Sequence, residues 1–515
     1  MHKIITGQQA AELVKDGATV VCTGIIGSSF AEYIALCLEK LFLETGHPNH
    51  LTLSCSAGIG DNEKRGYSIF GHEGMLKRAV CGHYNLCPEL QKLVDSNKIE
   101  AYLMPQGTLS QLYREIGTGR PGVITKIGLG TLMDPRVEGG KCNERAKDNL
   151  IELLELGDEE FLWYKSFPID VAIIRGTSVD ENGNLTIEKE STSMDQYACA
   201  MAARHNGGIV IAQVERIVEN GTFSPRSVQV PGVMIDHVVI APPENHWQHY
   251  GSDVYDAALA HEIRIPLNRL PPMSMSDRKI IARRAAMELK EDDIVNLGIG
   301  VPEGIASVAV EEGFSDHIIM SVESGHTGGV PASGLAFGGC YNPDFTTNMT
   351  SQFDFYDGGG LDVSFLGAAE VDACGNVNVT KFKKTVGPGG FINIAQSTKR
   401  VVFCGTLTTG GLKVSIKNGS LIIDHEGKNK KFVKQVQQIS FSGEYAVKSG
   451  QSVLYITERA VFRLTDKGVE LIEIAPGIEL QTQVLDQIEF DVTVSSTLKL
   501  MDARIFVESS MGLKI

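Results

Sequence analysis

Long apolar runs are missing from this sequence. No stretch of its 515 residues approaches the roughly 20 uninterrupted apolar residues that a membrane helix requires, so no membrane partner is expected. The opening MHKIITGQQAAELVKDG places charges where a secretory signal has its apolar core, and a cytoplasmic location is expected. Paired cysteines are missing too. The ten cysteines, at 22, 37, 55, 81, 87, 142, 199, 340, 374 and 404, are scattered without a CxxC pair, which argues against a disulfide framework and for a reducing compartment. Metal motifs fail in turn. Cys81-Gly-His83-Tyr-Asn-Leu-Cys87 has ligand residue types but no matching second pair, and His72-Glu73 would open an HExxH were position 76 not leucine. No metal site is expected, and no GxSxG elbow exposes a serine nucleophile. Basic residues are in deficit, 47 against 63 acidic, for a net charge of −16. That sign repels nucleic acid and anionic membranes. An anionic ligand must therefore be held locally, by backbone amides or a few placed cations.

The chain does have enough apolar residues, 43%, for a sizeable core, and its length exceeds what one ordinary core accommodates. It also echoes itself. DVAIIRGTSVDENGN (170–184) and DVSFLGAAEVDACGN (362–376) align without a gap, matching Asp170, Val171, Val179, Asp180, Gly183 and Asn184 with identical residues. At the same offset GGIVIAQV (207–214) meets KRVVFCGT (399–406). Upstream, LVKDGATVVCTGIIG (13–27) resembles ELKEDDIVNLGIG (288–300), each reading as helix, acidic break, buried strand and glycine turn. The period is far too long for a solenoid. Two similar open α/β domains are expected, at 1–235 and 276–515, joined by a Pro- and His-rich linker over 236–275. Alternating strands and helices predict largely parallel sheets covered by helices. Residues 413–475 read as antiparallel strands added to the second domain.

Several short motifs carry possible chemistry. Gly24 and Gly27 follow the first strand, and Gly298, Gly300 and Gly304 follow its counterpart; such turns present amides to a phosphate or a carbonyl, or simply turn the chain. The strand DHIIMSVE then ends in Glu323, a layout that also suggests a dinucleotide site. Against this, the spacing is GxGxxxG rather than GxGxxG, and the acid runs at once into Ser-Gly-His-Thr-Gly-Gly. Glu323 itself ends an apolar strand and enters a loop of little side-chain bulk, where a bulky substrate has access; in a dry, amide-lined site a carboxylate can attack an activated acyl group. Gln106 stands in a Pro-Gln-Gly turn with its amide available as a donor. Gly387, Gly389 and Gly390 in VGPGGFINI form a loop of the kind that builds oxyanion holes. His246 and His249 read as surface residues of the linker.

With these residues in view, the chain resembles the family I CoA-transferases, in the propionate/acetate branch. The likeness rests on PQGTL (105–109), GVITKIGLGTLMDPR (122–136), ESGHTGGVPASG (323–334), SQFDFYDGGGLD (351–362), GPGGFINI (387–394), FCGTLTTGGLKV (403–414), YITERAVF (455–462) and EIAPGIELQTQVLD (473–486). It implies two fused subunit-like halves and ping-pong transfer of CoA from a short-chain acyl-CoA to another carboxylic acid, with no cofactor beyond CoA. It also implies Glu323 as the residue that becomes a thioester and Gln106 as a side-chain oxyanion donor. The backbone donor falls on Gly389 or Gly390, and Gly298, Gly300, Gly387 and Gly390 fall against CoA. His326 stands where such enzymes carry small or apolar residues, which implies a tuned acyl preference. A homotetramer is expected. An acyl-CoA hydrolase on the same site, or a regulator that binds a nucleotide or sugar phosphate, are the alternatives.

Overall fold

The computed structural model describes residues 3–266 and 273–515. Short runs such as TVVC (Thr19–Cys22) and VAIIR (Val171–Arg175) are buried along their whole length. Strands buried on both faces belong in parallel sheets sandwiched by helices. These two lie at the centre of a wholly parallel sheet of eight strands. Its order is Lys3–Ile4, His237–Ile240, Ile209–Val214, Val171–Arg175, Thr19–Cys22, Leu51–Cys55, Leu76–Cys81, Glu100–Leu103.

The second sheet repeats this centre. Arg400–Cys404, Val363–Gly367, Ile294–Leu297 and Ile319–Val322 lie side by side in parallel, in the same spatial order as Ile209–Val214, Val171–Arg175, Thr19–Cys22 and Leu51–Cys55. The identical residues of the echo have physical reasons. Asp170 accepts the Thr19 amide (2.8 Å) and Asp362 the Ile294 amide (3.1 Å), each tying one central strand to the next. Asp180 accepts from the Asn182 and Asn184 amides (both 2.9 Å), and Asp372 from those of Cys374 and Asn376 (3.0 and 3.1 Å). These are side-chain-stabilised turns. In each, a glycine takes the left-handed backbone the turn demands, φ 82° at Gly183 and 79° at Gly375.

Four expectations need correction. Ser452–Ile456, read as antiparallel, pairs parallel with Arg400–Cys404; Ala460–Thr465 and Gly468–Ile474 then extend the sheet antiparallel. The first half also has antiparallel structure of its own, formed by Gly122–Thr125, Ile151–Leu156 and Glu159–Lys165. The expected linker starts too early, since His237–Ile240 is a strand of the first sheet. The chain after it folds back. The Arg65 guanidinium lies 4.3 Å from the Trp247 ring and 4.0 Å from that of Tyr250, whose hydroxyl donates to Glu32 (3.2 Å). This clamp buries His246 and His249, which are not the surface residues expected. Part of the linker, 267–272, lies outside the described residues.

Candidate active site

Each candidate residue lies at or faces the carboxyl edge of a parallel strand, where open α/β sheets form their ligand crevices. Glu323 follows Ile319–Val322, Gly298 follows Ile294–Leu297, and Gln106 follows Glu100–Leu103 after two residues. The two edges meet. The Gly387–Gly390 loop of the second half is stitched to the first: Tyr84 N–H donates to Val386 O (2.6 Å), Gly389 N–H to Gly82 O (2.9 Å), and Gln106 N–H to Gly389 O (2.9 Å).

Glu323 does not enter an open loop. It turns a tight hairpin in which His326 pairs antiparallel with Val322. Gly325, at φ 119°, allows the turn: a Cβ there would sit 2.0 Å from Thr347 O, and the Thr347 amide donates back to Gly325 O at 2.7 Å. Glu323 is 9% exposed. Burial raises its pKa above the ordinary glutamate value; its own backbone N–H and the Asn296 side chain pull the other way. Asn296, 1% exposed on the neighbouring strand, also donates to Ser321 O (3.3 Å), and Tyr356 OH donates to Ser321 Oγ (2.9 Å). The unit Ile294–Leu297, Gly304–Glu312, Ile319–Val322 has the layout that suggests dinucleotide binding, but its acid is folded into a desolvated hairpin.

Gln106 is the first residue of the helix Gln106–Gly117 rather than part of a free turn, because Pro105 sets an extended backbone at the N-cap. It is 2% exposed. Its Nε2 donates to Met349 Sδ at 3.3 Å, a weak acceptor that a stronger one displaces. Met349 opens the helix Met349–Asp357, two residues after Thr347, so one short segment links the Glu323 hairpin to Gln106. Asn393 holds the helix start from the other half. Its Oδ1 accepts the Gly107 amide (3.1 Å), and its Nδ2 donates to Asp357 (3.1 Å) and Thr108 Oγ1 (3.3 Å). Burial raises Asp357 to about 6, against the hydrogen bonds from Asn393 and Gln111.

The glycines divide by geometry. The Gly389 amide is already committed to Gly82 O, whereas that of Gly390, capping the helix Phe391–Ser397, donates to no group among the described residues. Gly390 is thus the better placed backbone donor of the two. Gly387, at φ 104°, packs where a Cβ would come within 2.8 Å of Gly82 O, His83 and Leu103. Gly298 N–H continues the sheet to Phe365 O (2.8 Å). Gly300, at φ 95°, faces open space beside Ile299, which is 58% exposed. Sequence reading missed Asn296, Asn393 and Met349. The first two carried a signal, a lone asparagine inside the apolar runs IVNL and FINI. Cys81 and Cys87 are buried. Among the described residues no cluster of His, Cys, Asp and Glu could hold a metal, and no helix is long and apolar enough to cross a membrane.

Two sheets with parallel centres meet at their carboxyl edges, bringing a desolvated carboxylate on one towards an amide side chain on the other, an arrangement suited to acyl or CoA transfer. The chain belongs to the coenzyme A transferase family, whose profile matches residues 4–241 and 278–405. A caffeate CoA-transferase of Acetobacterium woodii is 45% identical over 520 residues, covering 100% of this chain and 99% of its own length. The acetate CoA-transferase YdiF of Escherichia coli K12 is 42% identical, covering 99% of this chain and 96% of its own. Two crystal structures of the E. coli O157:H7 acyl-CoA transferase YdiF, both 41% identical over 100% of this chain and 98% of theirs, superpose with TM-scores of 0.95 for the apoenzyme and 0.94 for a thioester complex with CoA. This protein is a CoA-transferase with both halves fused in one chain.

Proposed function

We propose that Glu323 is the nucleophile and that short-chain monocarboxylic acids are the substrates. Ionised Glu323 attacks the acyl-CoA carbonyl, giving a mixed anhydride and CoA thiolate. The thiolate attacks the Glu323 carbonyl, forming the enzyme–CoA thioester and releasing the first acid. An acceptor carboxylate runs the same steps in reverse. Each tetrahedral intermediate carries an oxyanion, for which the Gln106 amide and the Gly390 N–H are the donors; one such donor contributes about 3 kcal/mol. Gly298 and Gly300 line the approach of CoA, and Gly387 shapes the loop. The anhydride and thioester are both hydrolysable, so the burial of Glu323 and Gln106 has a chemical purpose. The CoA tail supplies remote binding energy used at the reacting end. The same reading has the enzyme homotetrameric and cytoplasmic, with CoA as its sole carrier.

The observation that carries this is the desolvated Glu323 carboxylate at the strand edge. The test is intact mass after incubation with acetyl-CoA and no acceptor. A gain of one CoA less water, mapped to Glu323 and absent in Glu323→Gln, is expected. Steady CoA release without an adduct would instead identify a hydrolase.

A further inference from the structure

The helix that begins at Gln106 has no cap of its own. Pro105, at its N-cap, carries no side-chain acceptor, and a helix start leaves its first backbone N–H groups without partners inside the helix. Two of these groups are satisfied from the other half of the chain. Gln106 N–H donates to Gly389 O (2.9 Å), and Gly107 N–H donates to Asn393 Oδ1 (3.1 Å). The two acceptors lie on either side of Gly390 in the sequence. The proposed oxyanion donors, Gln106 and Gly390, are therefore tied to one another by a pair of hydrogen bonds that cross between the halves.

Asn393 is fully buried, and its amide has a single orientation. A backbone N–H only donates and a carboxylate only accepts. Oδ1 therefore faces Gly107, while Nδ2 faces Asp357, 3.1 Å from each carboxylate oxygen, and Thr108 Oγ1 at 3.3 Å. Asp357 ends the helix Met349–Asp357 and also accepts from Gln111 Nε2 (2.9 Å), further along the Gln106 helix. The space is cut to this side chain. A Cβ on residue 107 would lie 2.8 Å from Asn393 Nδ2 and 2.3 Å from the Phe353 ring, which is why glycine follows Gln106. The Gly387–Gly390 loop has further anchors, with Tyr84 N–H on Val386 O and Gly389 N–H on Gly82 O. The first turn of the Gln106 helix relies on Gly389 O and Asn393.

We infer that Asn393 is a positioning residue for the transfer reaction: it caps the Gln106 helix from the opposite half and so sets where the Gln106 amide stands relative to Gly390. This rests on the reading of Gln106 as an oxyanion donor. Without Asn393 Oδ1 the Gly107 N–H is left unpaired, a costly state for a buried donor. The first turn then shifts to find a partner, and the Gln106 side chain moves with it. Preorganised donors act through their exact placement, so the loss falls on the rate of the chemical step, by about tenfold or more. Binding of CoA, which Asn393 does not touch, is left as it was.

The experiment follows loading of CoA from acetyl-CoA and extracts a maximal rate and a half-saturating concentration. Asn393→Leu, close in size but with neither acceptor nor donor, should lower the maximal rate by about tenfold or more, with half-saturation within about twofold of wild type. The exchange of Asn393→Asp together with Asp357→Asn keeps an acceptor for Gly107 and reverses the pair behind it; it should recover the rate to within about threefold. In a Gln106→Ala background, Asn393→Leu should cost no more than about twofold further, because the residue acts through Gln106. The inference is overturned if Asn393→Leu loads CoA at the wild-type rate, or if the exchange is as slow as Asn393→Leu. It is equally overturned if the loss is undiminished in the Gln106→Ala background, the mark of a residue that merely holds the halves together. Should Asn393→Leu fail to fold, Asn393→Ala, which leaves room for water at the Gly107 amide, carries the same expectations. Gln106→Ala alone reports the donor reading separately: an unchanged rate there removes Gln106 from the mechanism before Asn393 is tested.

Discussion

Replacing Asn296 with leucine perturbs Glu323 without touching it. The two side chains are close in size, and the position lies 1% exposed on the strand Ile294–Leu297, so the sheet tolerates the exchange. What is lost is a donor that favours the ionised carboxylate, against a burial that already disfavours it. The Asn296 amide is the smaller of the two influences that favour the ionised form, and at about 1 kcal/mol for such a polar contact its loss raises the Glu323 pKa further in the variant. On the acid side of the profile, loading of CoA slows by about fivefold. At high pH, where the carboxylate is ionised regardless, the rate returns to the wild-type plateau or above it, since a less solvated carboxylate is the stronger nucleophile. The linkage has a definite sign. A carboxyl group with a raised folded pKa contributes stability that is complete below its unfolded pKa and lost as pH rises through the folded one; in Asn296→Leu that loss extends to higher pH. Rapid-quench mass spectrometry of the adduct across pH gives the profile. A loss of rate equal at every pH, or an acid limb that does not move, would refute the assignment of Asn296 as the group that tunes Glu323.

Further outcomes are open to measurement. Gln106→Ala should lower kcat by about a hundredfold or more in stopped-flow turnover, with a smaller change in KM for CoA, because the donor acts on the oxyanion; an unchanged kcat would remove Gln106 from the mechanism. Gly325→Ala places a Cβ 2.0 Å from Thr347 O at φ 119° and should destabilise the fold by about 3 kcal/mol or more, read as a drop in Tm. An unchanged Tm would mean that the hairpin is not built this way. Asp357, raised to about 6, contributes stability lost as pH climbs from its ordinary 3.8 through 6. Asp357→Asn should therefore flatten urea-denaturation stability over that window. Asp195, also raised to about 6 by burial, retains part of the slope.

Much of this protein was legible in sequence because the responsible interactions are local. Asp180 and Asp372 bond to amides two and four residues ahead, so each turn had to repeat its own residues to repeat its shape, and the duplication remained visible. The apolar strand before Glu323 and the glycine after it likewise marked a carboxylate at a strand end. Tertiary structure decided what those groups touch. The Gln106 amide meets Met349, 243 residues away. The Gly389 N–H is taken by Gly82 from the other half, leaving Gly390 as the free amide of the loop. His246 and His249 looked like polar linker residues; the Arg65 clamp on Trp247 and Tyr250 folds that segment back and buries them. The Asn296 side chain comes to act on the Glu323 carboxylate only because their strands are neighbours in the second sheet. Propensity and periodicity act over a few residues. Burial and hydrogen bonding, which shift the carboxylate's pKa, depend on strand order and on how the two carboxyl edges meet.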